Sequence, residues 1–118
     1  MSQASSQAWA FYREVAKTRV VWAIRDDGGF PSPMSVSGQR AMPFWSSKSR
    51  AQRIIENAPA YAGFTPVEIG WSEFVERWIP GLEKDGLLAG VNWSGPRVLG
   101  YDLRPTELRE AVEAVAND

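Results

Sequence analysis

The sequence predicts an α+β fold, on three observations. Segments of helical periodicity stand at the start, the middle and the end of the chain. Short runs of β-branched and aromatic residues lie between them. The two kinds of segment do not alternate as regular β-α-β units. The expectation is therefore a mostly antiparallel sheet of about five strands, with N-terminal, middle and C-terminal helices packed on it. A length of 118 residues fits one domain spanning 1–118.

Met1 to Gln7 is small and polar and is expected to be disordered. Ala8 to Lys17 reads as the first helix, with Trp9, Tyr12 or Phe11, Val15 and Ala16 on its apolar stripe and Arg13, Glu14 and Lys17 opposite. Val20-Val21-Trp22-Ala23-Ile24 is the clearest strand. Asp26-Asp27-Gly28-Gly29 is a hairpin turn, and Phe30–Val36 is the strand expected to return from it. Pro31 and Pro33 delete two donors there, which only an edge strand or a loop tolerates, so how far that strand extends is left open. After a turn at Ser37–Arg40, Ala41–Trp45 is a short third strand.

Ser46-Ser47-Lys48-Ser49 opens the middle helix, with either of the first two serines as its cap. Ala51, Ile54 and Ile55 face the core, while Lys48, Arg50, Gln52, Arg53 and Glu56 face water. From Thr65 the chain reads strand, helix, turn, strand. Val67 and Ile69 alternate with Glu68, Ser72 stands as a helix cap, and Phe74 and Trp78 share an apolar face. Pro80-Gly81 ends or bends that helix, Asp85-Gly86 turns, and Leu87–Val91 is an inner strand. Trp93-Ser94-Gly95-Pro96 is a turn and Val98–Tyr101 a last strand. A final helix starts near Pro105 and buries Leu108, Val112 and Val115.

Composition narrows the function classes. There is no cysteine, so disulfides and thiolate chemistry are absent; there is no histidine, so the commonest general base and transition-metal ligand is absent too. No catalytic motif stands out, and the expectation is a protein that is not an enzyme, with no metal and no cofactor. A formal charge of −1 gives no electrostatic case for nucleic acid or an anionic membrane. No apolar run has the roughly 20 residues of a membrane span, so a cytoplasmic protein is expected.

Two sets of residues are candidates for recognition. Six tryptophans are many for this length. Trp45 and Trp93 end strands beside turns, and Trp71 starts a helix; each can meet a protein partner, or else pack inward as a core residue or helix staple. Ser46, Ser47, Lys48 and Arg50 sit at a helix start, where free N–H groups and the dipole favour an anion; the alternative there is simple capping under a basic solvated face. Asp26-Asp27-Gly28-Gly29 lacks the ligand spacing of a calcium loop. Glu73 and Glu76 read as a wet helix face.

One set of residues points to a family. Val20–Ile24, Asp26-Asp27-Gly28-Gly29, Met42-Pro43-Phe44-Trp45 and Val67-Glu68-Ile69 lead into an F-x-x-x-W-x-P-G-L-x-x-D-G run from Phe74 to Gly86. In this order they resemble the small bacterial proteins grouped as DUF2750, over roughly Trp9 to Val115. The resemblance implies no reaction. The paired Pro31 and Pro33 depart from the family's second strand. More loosely, Met42-Pro43-Phe44-Trp45-Ser46-Ser47 is similar to a strand-to-helix step of SseB-like proteins, which would imply an adaptor or binding role.

The leading expectation is a non-catalytic interaction module, adaptor-like or immunity-like, that meets another bacterial protein as a monomer or homodimer. The alternative is a sensor or enzyme binding a small molecule or anion at the start of the Ser46–Arg53 helix.

Overall fold

The computed structural model describes residues 2–35, 38–95 and 97–117. Val36, Ser37 and Pro96, expected in a strand end and two turns, lie outside them.

Helix α1 (Gln3–Thr18) starts five residues before the expected point, because Ser2 Oγ accepts from the Ser5 N–H and caps it. The expected disorder before Ala8 is thus corrected from Gln3 onward. Strand β1 (Val20–Arg25) follows. Its partner is not the Phe30–Val36 segment but β3 (Thr65–Gly70), antiparallel, with Val21 opposite Ile69. The Asp26–Gly29 turn forms as expected, with paired backbone bonds of 3.1 and 3.2 Å. Beyond it, residues 30–35 make one isolated bridge, Met34 to Arg40. Pro31 and Pro33 cannot donate to a ladder, which explains the missing strand.

Strand β2 (Ala41–Phe44) pairs in parallel with β4 (Leu88–Ser94), and β4 pairs antiparallel with β5 (Leu99–Leu103). Trp22 and Trp45 exchange backbone bonds of 2.8 and 2.7 Å and join the two-stranded and three-stranded sheets. The spatial order is therefore β3-β1-β2-β4-β5. Among the described residues there are five strands, the number expected, though Phe30–Val36 supplies none of them; the α+β class is present, with one parallel pair.

Strand periodicity splits the core into two layers. Val21, Ala23, Phe44, Ala89 and Val91 face one side, with Phe11 and Val15 of α1 and Leu108 and Val112 of α5 (Pro105–Ala116). Ile24, Ala41, Trp45 and Trp93 face the other, against Ala51, Ile54 and Ile55 of α2 (Lys48–Asn57). A 3-10 turn, Pro59–Tyr61, closes that second layer.

Helix α3 (Trp71–Glu73), a π-helical segment (Phe74–Trp78) and α4 (Ile79–Lys84) run on as one helix. Gly70 takes its cap position, so Ser72 lies inside the first turn rather than before it. Pro80 does not end the helix. It lacks the N–H that would bond the carbonyl four residues back, and the wider π turn, closed by Ile79 N–H to Phe74 O, absorbs that loss. The helix stops at Gly86 instead. Gly86 has φ +68°, its N–H bonds Glu83 O at 3.1 Å, and the Leu87 N–H bonds Leu82 O at 2.9 Å, a Schellman ending.

Candidate functional site

The three tryptophans expected to meet a partner are all buried: Trp45 is 0% exposed, Trp71 3% and Trp93 5%. They form no exposed aromatic patch, which corrects that expectation. The reason is that each indole finds an acceptor inside the fold, so burying its large ring carries no polar penalty. Trp45 Nε1 donates to Trp93 O at 2.8 Å, and Trp93 Nε1 to Asp102 Oδ1 at 2.8 Å. Trp71 Nε1 donates to Glu113 Oε1 at 2.5 Å, and Arg19 covers its ring at 5.6 Å. Trp9 alone among the tryptophans is a large exposed hydrophobic, at 47%.

The serine-rich helix start is also committed. Ser47 is the cap of α2 and accepts from Arg50 N–H at 3.2 Å. Ser46 is 2% exposed and donates to Glu14 Oε1 at 2.7 Å. Arg50 binds the same carboxylate with two prongs, Nε to Oε1 at 3.0 Å and Nη2 to Oε2 at 2.8 Å. So Ser46 and Arg50 do hold an anion, and it is the chain's own Glu14. Its carboxyl is held below the ordinary carboxylate value, chiefly by the Arg50 hydrogen bond, against the opposing effect of burial. Lys48 is exposed and stands apart.

Asn92 ties this cluster to the sheet. It sits at the irregularity in β4 between Val91 and Ser94, with φ +50°, a left-handed conformation that asparagine tolerates. Its Oδ1 accepts from Ser46 N–H at 3.0 Å, and its Nδ2 donates to Gln7 O at 3.1 Å. One buried amide thus pins α1, β4 and the start of α2 together.

Beside this network lies a groove of about 420 Å³ between α2 and the end of β4. Its floor is Trp45, Ile54, Asn92 and Trp93, all nearly or wholly buried. Its accessible wall is Arg50, Arg53, Asn57, Ser94 and Gly95. Arg50, Arg53, Ile54 and Asn57 recur at i, i+3, i+4 and i+7, one face of α2. Among the described residues, no Asp or Glu lines the groove. Of the anticipated site residues, the groove gathers Trp45, Trp93 and Arg50. Ser46, Ser47, Lys48 and Trp71 do not line it.

The sequence marks Arg53 only as the far end of the Ser46–Arg53 helix start, and Asn57 and Ser94 were missed as site residues. The α2 spacing was a usable signal for Asn57. Nothing in the sequence marks the bulge that aims Asn92 and Ser94. Among the described residues, no group of three or more His, Cys, Asp or Glu side chains is placed to hold a metal ion. No described helix is long and apolar enough to cross a membrane.

The fold and groove define a small α+β protein with a cationic recess on one sheet face. A family model described as "Protein of unknown function (DUF2750)" matches residues 8–112, and the chain belongs to that family. No curated protein matches the chain.

Proposed function

We propose that this chain is a non-catalytic recognition module and that the groove between α2 and the end of β4 is its binding site. The observation that carries the reading is the make-up of that groove: two guanidiniums and, among the described residues, no lining carboxylate above an indole and aliphatic floor. Apolar walls with a few placed polar groups are the usual form of a ligand pocket. Support for a non-catalytic role comes from how the acidic groups are used. Glu14 is committed to Arg50, Glu107 to Arg104 and Glu113 to Trp71 and Arg19. An adaptor or immunity-like role in a bacterial cytoplasm suits such a module, and the cysteine-free sequence fits a reducing compartment.

A fragment screen followed by NMR of the 15N-labelled protein tests the site. The expected hits move the Trp45 and Trp93 indole N–H signals and the Arg53 side chain. Asn57→Trp, which fills the rim, is expected to abolish them while leaving the circular dichroism unchanged. Hits that map elsewhere, or that survive Asn57→Trp, overturn the assignment.

A further inference from the structure

We infer that the groove takes a single carboxylate carried on an apolar body, with Arg53 binding the charge. The inference rests on the recognition reading above and narrows it to a class of ligand.

Arg50 and Arg53 both line the groove, but they are not equivalent. Arg50 gives Nε and Nη2 to Glu14, so its charge is offset in place. Arg53, almost one helical turn further on, is exposed, and among the described residues no hydrogen bond or ion pair engages it. Two guanidiniums and one carboxylate leave one positive charge to be matched. That favours a monoanion over a phosphate dianion. The planar guanidinium fork fits the two oxygens of a carboxylate.

The floor then decides the rest of the ligand. The Trp45 and Trp93 indole N–H groups are spent on Trp93 O and Asp102, and the Asn92 amide on Ser46 and Gln7. What remains on the floor for a ligand is apolar, the little that Trp93 and Ile54 leave open at 5% and 3%, which an apolar body matches. Asn57, four residues beyond Arg53 on the rim, adds a polar contact beside the charge. At about 420 Å³ the groove lies at the small end of the range for ligand sites. A free aromatic or aliphatic acid has this chemistry, and so does the C-terminus of a peptide chain.

The test is titration of the full chain at pH 7 with two acid and amide pairs. They are 2-naphthoate with 2-naphthamide, and acetyl-Gly-Leu with its C-terminal amide. At least one acid is expected to bind in the groove about tenfold or more tighter than its amide, as a charge-assisted hydrogen bond implies. Arg53→Gln should remove that preference, Lys48→Gln should leave it unchanged, and inorganic phosphate should not compete. Which acid binds tells a free acid from a chain end. Acid and amide binding equally in the groove overturns the charge inference and leaves the recognition reading standing. No acid binding at millimolar concentration, or a preference that survives Arg53→Gln, also overturns the charge inference; whether the recognition reading falls too is decided by the fragment screen.

Discussion

At Gly90 an added Cβ would stand 2.4 Å from Trp93 Cε2, and at Gly100 another would stand 2.4 Å from Trp93 Cδ1 and 2.9 Å from its Cα. The two glycines on neighbouring strands leave the space in which the indole lies, and Asp102 fixes its N–H. Glycine inside a strand often marks such a close approach. The Asp102 carboxyl is pushed above its ordinary value by burial, with the Trp93 bond pulling it the other way. Gly100→Ala must displace a packed ring and backbone, so it is expected to cost about 2 kcal/mol, the usual scale of overpacking. Urea denaturation measures this. A change smaller than about 0.5 kcal/mol, the ordinary surface range, would show that the indole has room to move.

Among the elements, the helix from Trp71 to Lys84 is the least regular. Its π segment reconciles Pro80 with a continuous apolar face: Phe74 stacks near Trp71 at 5.6 Å and meets Phe44 edge-on at 5.0 Å. Ending the helix at Pro80 would give up the burial of Leu82, which is 3% exposed. The start of this helix is less well served. Gly70 holds the cap position with extended dihedrals and no side chain to accept from the first turn, and nothing lies within 4 Å of where its Cβ would be. Gly70→Ser supplies a cap and lowers the freedom of the unfolded chain. It is expected to raise stability by up to about 1 kcal/mol. A thermal melt that moves downward would refute the capping argument.

For the whole molecule, the consequence of these contacts is a pH dependence. Glu14, Glu107 and Glu113 all have carboxyls held below their ordinary value of 4.5, first by hydrogen bonds from Arg50, Arg104 and Trp71. A depressed folded pKa contributes stability above the unfolded value, and that contribution is lost as pH falls through the lower folded value. Asp102, raised from 3.8, has the opposite sign: stability there grows as pH falls through its folded value toward the unfolded one. Glu14 is the most enclosed of the three lowered groups, while Glu107 and Glu113 are screened by solvent, so it is the Glu14 contribution that should lower the urea midpoint below about pH 4.5, with Asp102 offsetting part of it. Glu14→Gln should flatten part of that drop and cost about 1 kcal/mol at pH 7. The figure is modest because both partners are about a third exposed and screened by solvent. An acid limb identical in wild type and Glu14→Gln would remove Glu14 from this account.

Local rules sufficed for much of the chain. The α+β class, the runs Val20–Ile24 and Thr65–Gly70, a serine cap on α2 and the Asp85-Gly86 turn all follow from periodicity, β-propensity and backbone freedom within a few residues; that the helix runs through Pro80 to that turn does not. The family was legible too, in the run from Phe74 to Gly86. Which strand pairs with β1 was not, because pairing depends on the whole sheet and Pro31 and Pro33 only exclude one candidate. The direction of the tryptophans was also decided in three dimensions. Trp45 and Trp71 needed acceptors far along the chain, the Trp93 carbonyl and Glu113, and Trp93 needed Asp102 on the neighbouring strand. Ser46 and Arg50 were marked as anion-binding by their place at a helix start. Only packing α1 against the start of α2 made Glu14 their anion and left Arg53 facing the groove, because charge complementarity is settled by proximity in space and not by spacing along the chain.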